Sequence, residues 1–120
     1  MELIFILLKI IVILLIFDLA YIFLFKKFFN DQIFLIQNSD ITIKPLAGAA
    51  VYAFIAFLLY WFIIKENKTP KDAFILGLCV NGIYEYTNYC LFNNWNFKTT
   101  VIDTLWGGIL FYLITYSYQL

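Results

Sequence analysis

Four long apolar runs follow one another along the chain, separated by short polar breaks. The first extends from Leu3 to Phe25, interrupted only by Lys9 and Asp18, and stops at Lys26-Lys27. As a helix it would span about 34 Å, enough to cross the hydrocarbon of a bilayer. A second run, Pro45 to Ile64, carries no charge and has proline where a helix start tolerates it. Thr69-Pro70-Lys71-Asp72 then sets a hydroxyl, a proline and a carboxylate in the order of a capped helix start, and apolar sequence continues to Phe92. Asn93-Asn94-Trp95-Asn96 forms a polar turn with an interfacial tryptophan. Thr100 followed by Asp103 repeats the cap pattern and opens a last run to Tyr118.

The pattern predicts an all-α fold: a polytopic membrane protein, one four-transmembrane-helix bundle over residues 1–120, with helices near 3–25, 45–64, 70–92 and 100–118. Between the first two helices, Phe29, Ile33 and Ile36 share one helical face. A short interfacial helix is expected there, lying on the membrane surface after the first crossing.

Composition agrees. The chain has 120 residues, of which 64% are hydrophobic and 13% charged, more apolar surface than a small water-soluble core could hide. The lipid bilayer is thus the first expected partner, with other membrane proteins or further copies of the chain after it. Eight lysines balance eight acids, so no basic face points to nucleic acid. An acid at position 2 and a first cation inside the apolar run are unlike a secretory signal, so the N-terminal run is read as part of the mature protein. Four crossings put both termini on one side. Lys9, Lys65, Lys68 and Lys71 on that side balance Lys26, Lys27, Lys44 and Lys98 on the other, so orientation is undetermined.

Chemistry is sparse. The chain has no His, and Cys79 and Cys90 lie roughly 16 Å apart along a helix, which excludes a mutual disulfide, a Cys/His metal site and a Cys–His nucleophile. The two thiols are read as buried structural cysteines. No catalytic residue and no cofactor are assigned. For helix packing, Ala49, Ala53 and Ala56 form a small-residue stripe, and Gly77 and Gly107 permit close helix approach.

The informative residues are acids at membrane depth, where each costs at least ~2.5–3.5 kcal/mol. Asp18 and Glu85 both lie seven residues before the end of parallel crossings, about 10 Å inside one face, and Asp103 enters from the same face about 5 Å deep. Gly77, Asn81, Glu85 and Asn88 recur on one side of the third helix, and Trp106 brings an indole donor one turn beyond Asp103. Asp18, Glu85 and Asp103 are therefore expected to meet inside the bundle. No buried lysine neutralises them, so either one is protonated, Glu85 being the candidate, or a cation sits among them. Two plainer readings stand beside this one: Asp103 as a helix-capping acid, and all three as polar packing residues.

The segment Tyr84-Glu85-Tyr86-Thr87-Asn88, with Trp95 and Asp103-Thr104-Leu105-Trp106-Gly107, resembles a mainly bacterial family of small four-helix membrane proteins of unknown function. That family's pattern has Tyr-Asp-Leu-Thr-Asn in the third helix and Asp-x-x-Trp-Gly opening the fourth. It also has an aspartate and a tryptophan in the first helix, matched here by Asp18 and Tyr21, and a tyrosine comparable to Tyr52. Glu85 and Tyr21 depart from the pattern. The resemblance implies the architecture and supplies no activity.

Three functions compete. A structural or assembly component, in a cellular or viral membrane, fits the lack of any nucleophile–base pair and of a soluble domain. Proton or small-cation transport through the acids needs a path across the other half of the membrane. A lipid-modifying enzyme would hold a divalent ion on the carboxylates, but no base accompanies them to bind phosphate.

Overall fold

A computed structural model of the chain describes residues 2–120, so Met1 of the expected domain lies outside it. Four helices make up the described chain: α1 (Glu2–Gln37), α2 (Pro45–Leu59), α3 (Pro70–Leu91) and α4 (Phe97–Gln119). A single π-helical turn, Tyr60–Ile64, extends α2. α1, α4 and α2 with its π turn are each long and apolar enough to cross a membrane. α3 falls short because Asp72, Asn81, Glu85 and Asn88 dilute its apolar character. The long axis of the molecule is 44 Å, which matches a bilayer with its headgroup layers at roughly 40–45 Å.

α1 is one element where a crossing and a separate interfacial helix were expected. Its backbone breaks at Phe25, with φ −110° and ψ 16°, in the sparsely populated bridge region that interrupts a helix. The break falls beside Lys26-Lys27, where the first apolar run ends, and the helix continues past it as the outer half of α1. Asn38, at φ 57°, then ends the helix in the left-handed conformation that asparagine tolerates, its N–H donating to the Phe34 carbonyl at 2.9 Å.

α3 begins as the sequence dictates. The Thr69 hydroxyl accepts from the Asp72 N–H while the Asp72 carboxylate accepts from the Thr69 N–H, a complete capping box. α4 does not begin at Thr100. The helix starts at Phe97 with Asn96 as N-cap, which leaves Thr100 inside it, donating its hydroxyl to the Asn96 carbonyl at 3.1 Å. Asp103 is therefore two turns into the helix, and the capping role considered for it is excluded by position.

The chain packs as an antiparallel series. α4 lies against both α3 and α1, and α1 also carries α2. The α3–α4 contact is closest at glycine: a Cβ on Gly77 would collide with the Gly107 carbonyl, one on Gly107 with Asn81 and the Gly77 carbonyl. Below the glycines, Ile10, Leu14, Leu59, Leu110, Phe111 and Ile114 are buried in a core shared by α1, α2 and α4. Outward surfaces are apolar as well. Phe23, Leu46, Phe54 and Ile83 are each more than 70% exposed, which is stable only in contact with lipid or protein.

Two packing expectations need correction. Of the alanine stripe only Ala56 is buried, while Ala49 and Ala53 are exposed. The face of α2 that meets α1 is centred on Tyr52, Leu59 and Ile63, and Ala53 stands about 100° away from Tyr52. Cys79 and Cys90 are free and exposed. At the helical period both point opposite to the Gly77–Asn81–Glu85 face of α3, outward on an apolar side that suits a thiol.

Candidate functional site: a buried acidic cluster

Asp18, Glu85 and Asp103 line one small cleft of about 240 Å³, together with Tyr21, Ile22, Phe29, Ile33, Tyr84 and Trp95. Helix geometry alone brings them there. Asp18 sits on the inner face of α1, Glu85 on the glycine-bearing face of α3, and Asp103 one turn before Gly107 on α4, where the glycine contact draws the two helices together.

Each acid is held by donors from other parts of the chain. Asp18 accepts from the Tyr52 hydroxyl of α2 at 2.6 Å and from the Trp106 indole of α4 at 3.3 Å. Asp103 accepts from the Tyr21 hydroxyl of α1 at 3.3 Å. Glu85, only 2% exposed, accepts from the Trp95 indole at 3.1 Å, and it lines the same cleft as Asp103. Asn81 donates to the backbone carbonyl of Asp103 at 2.9 Å, fixing α3 against α4 at the same level. Tyr21 stacks on Trp106 with ring centroids 4.2 Å apart and planes 2° from parallel. Two of the acids' donors are thus locked against each other, a geometry that adds to the attraction from area alone.

The donors are neutral. No lysine lines the cleft among the described residues, and tyrosine and indole groups lower the cost of burying a carboxylate without adding positive charge. Nor do three acids or thiols converge tightly enough to hold a metal ion among the described residues. Of the six residues singled out from the sequence, Asp18, Glu85, Asp103, Asn81 and Trp106 take part in this network. Asn88 does not: it is half-buried, one turn past Glu85, and bonds to none of the three acids among the described residues.

Sequence reasoning missed four participants as donors or clamps, the first being Tyr52, noted only for its likeness to a family tyrosine and yet the 2.6 Å donor to Asp18. Trp95 was read only as an interfacial residue, yet it is 7% exposed and turned inward onto Glu85. Tyr21, one of the departures from the family pattern, is the donor to Asp103. Gln32 was not singled out at all. It is 1% exposed, donates to the Asn94 carbonyl at 3.0 Å and accepts from the Asn96 N–H at 2.8 Å. A signal for it exists in retrospect: at the helical period it falls beside Phe29 and Ile36, on the apolar side of the outer half of α1.

Fold and site together define a small all-helical membrane protein with a part-buried acidic network, Glu85 at its buried centre. The chain belongs to the family described as "Predicted membrane protein (DUF2177)", whose model matches residues 3–118. No curated protein and no solved structure matches it.

Proposed function

We propose that this protein is a multi-pass structural or assembly component of its membrane. Its acidic cluster sets the register of the helices, and its apolar outer faces meet lipid and other membrane proteins. The observation that carries the reading is the pattern of partners: Asp18 joins α1 to α2 and α4, Asp103 joins α4 to α1, and Glu85 joins α3 to the turn before α4. Every bond spans elements, as expected of groups that specify one packing of helices over its alternatives.

In this reading the helices make four crossings, with both termini on one side. α3 completes the set because its polar residues turn towards α4 while Ile75, Ile83, Tyr86, Tyr89 and Leu91 remain outside for lipid.

Proton transport is the second reading, favoured by one observation. Glu85 and Asp103 line one cleft with Asp18 and no lysine beside them among the described residues, and acids gathered in a bundle interior are typical of ion pathways. Against transport stands the other half of the bundle, where Ile10, Leu14, Leu110, Phe111 and Ile114 close the interior with apolar side chains. The test is flux in proteoliposomes. The structural reading predicts no proton or cation flux above protein-free vesicles, in wild type and Glu85→Gln alike. Flux that disappears in Glu85→Gln overturns it in favour of transport.

A further inference from the structure

We propose that the outer half of α1, residues 26–37, is a latched lid over the acidic cleft, with Phe25 as its hinge and Gln32 as its latch. It controls when water reaches Glu85, which is 2% exposed with the lid shut. The lid stands independently of the function proposed above, since a cluster that only fixes helix register and one that exchanges protons would both lie beneath it.

The roof of the cleft is built from this segment and from what it holds. Phe29 and Ile33 project from the outer half of α1 into the cleft lining, and Trp95 completes the cover from the α3–α4 turn. Swinging the segment away removes Phe29 and Ile33 directly. It also frees the turn that carries Trp95.

The latch is specific. The Gln32 amide binds two backbone groups of the turn, the Asn94 carbonyl and the Asn96 N–H, with its NH2 and its oxygen respectively. The Asn94 side chain returns the contact by donating to the Leu35 carbonyl at 3.3 Å. With the lid open the same polar groups bond to water instead, so they are satisfied in either state and the net strength of the latch is modest. A contact of that kind holds a reversible closure better than a continuous apolar seam.

The hinge lies at the right place. Phe25 leaves the helical conformation where the crossing ends, and a few dihedral angles at such a break can absorb the motion of a rigid arm. Its ring lies 5.0 Å from that of Tyr21, whose hydroxyl bonds Asp103. The arm is therefore coupled to the cluster at both ends: through Tyr21 to Asp103 at the hinge, and through the turn and Trp95 to Glu85 at the tip.

Carboxyl modification by a water-soluble carbodiimide and an amine, read by mass spectrometry on the full chain in detergent, measures access directly. Glu66 is exposed on the far turn and serves as internal reference. Gln32→Ala should raise modification of Glu85 relative to Glu66 by about tenfold, the scale expected when two latch bonds are lost. Gln37→Ala, on the exposed end of the same segment, should leave the ratio at the wild-type value. If Gln32→Ala does not yield folded protein by circular dichroism, Gln32→Glu keeps the acceptor for Asn96, loses the donor to Asn94, and should give an intermediate increase. A Glu85 ratio in the folded Gln32 variant equal to that of wild type overturns the lid, as does an equal rise in Gln37→Ala.

Discussion

The two halves of this bundle are held together by different means. Towards the 93–96 turn, helices meet through hydrogen bonds between residues far apart in sequence: Tyr52 to Asp18, Trp106 to Asp18, Tyr21 to Asp103, Gln32 to the turn. Towards the termini the core is Ile10, Leu14, Leu59, Phe111 and Ile114, with the Gly77–Gly107 contact between the halves. Lipid tails are as apolar as that core, so its helices gain little from leaving lipid and depend on closeness of fit. The polar half contributes what fit alone does not: a wrong register would leave a carboxylate and its donors unpaired at membrane depth. The apolar half sets how tightly the helices pack, and the polar half sets which positions face each other.

The comparison predicts the largest effect where closeness is absolute. Gly107→Leu places a side chain where even a Cβ meets Asn81 and the Gly77 carbonyl, so backbone must move. We expect a loss of more than about 3 kcal/mol, seen as loss of monodisperse protein in size-exclusion chromatography. A variant that elutes and melts like wild type would show that α3 and α4 are not this close. Next in size is Asp18→Ala, which orphans the Tyr52 hydroxyl and the Trp106 indole together. A destabilisation of about 2–4 kcal/mol is expected in thermal or denaturant unfolding in detergent, with Tyr52→Phe costing about 1–2 kcal/mol because it removes one of the two donors to Asp18. In a double-mutant cycle, additive effects at 18 and 52 would mean that the bond does not couple α1 to α2.

The halves also differ in how legible they were. The runs that become α1 and α2, the cap at Thr69 and Asp72, and the end of the first apolar run at Phe25, where α1 breaks, follow from local rules of hydropathy and backbone satisfaction. Convergence of Asp18, Glu85 and Asp103 followed from counting residues inward from the turns, because helical rise converts sequence position into depth. Their partners were not legible. Which donor reaches which acid depends on the rotation of each helix about its axis relative to its neighbours, and that rotation is fixed by contacts such as Gly77 on Gly107 that one sequence displays only as two small residues. The early start of α4 was hidden for a related reason. Asn96 caps the helix without a side-chain bond, and its N–H is instead satisfied by Gln32 from a distant helix, so the visible Thr100–Asp103 pattern misled.

A smaller effect is expected at a polar tie in the apolar half, where the Gln119 amide also donates to the Lys68 carbonyl at 2.8 Å. Lys9 donates to the Tyr118 carbonyl at 3.3 Å and sits 4.1 Å from its ring centroid. The pair is exposed at the helix ends, where such a contact is worth about 0.5–1 kcal/mol. Lys9→Met should therefore shift the melting temperature only slightly, and a large drop would show that the apolar half also relies on polar register.

The smallest expected effect sharpens the comparison most. Ala53 carries a stripe that looks built for helix contact, yet it is exposed and turned well away from the α1-facing side of α2. Nothing among the described residues needs it to be small. Gly48, one turn and a residue earlier, likewise has open space where a Cβ would stand. Ala53→Phe should leave secondary structure and unfolding of the isolated chain within about 0.5 kcal/mol of wild type, as for surface substitutions generally. If small residues on α2 serve contacts between copies or with another membrane protein, the variant changes elution volume or crosslinked species while the melting curve of the monomer stays put. A shift in oligomeric state without loss of fold would place the third packing surface of this protein outside its own chain. A variant that is unstable as a monomer would instead mean that α2 rotates further towards α1 than Tyr52 and Leu59 indicate, and the division between a polar half that sets register and an apolar half that sets fit would then have to include α2 along its whole length.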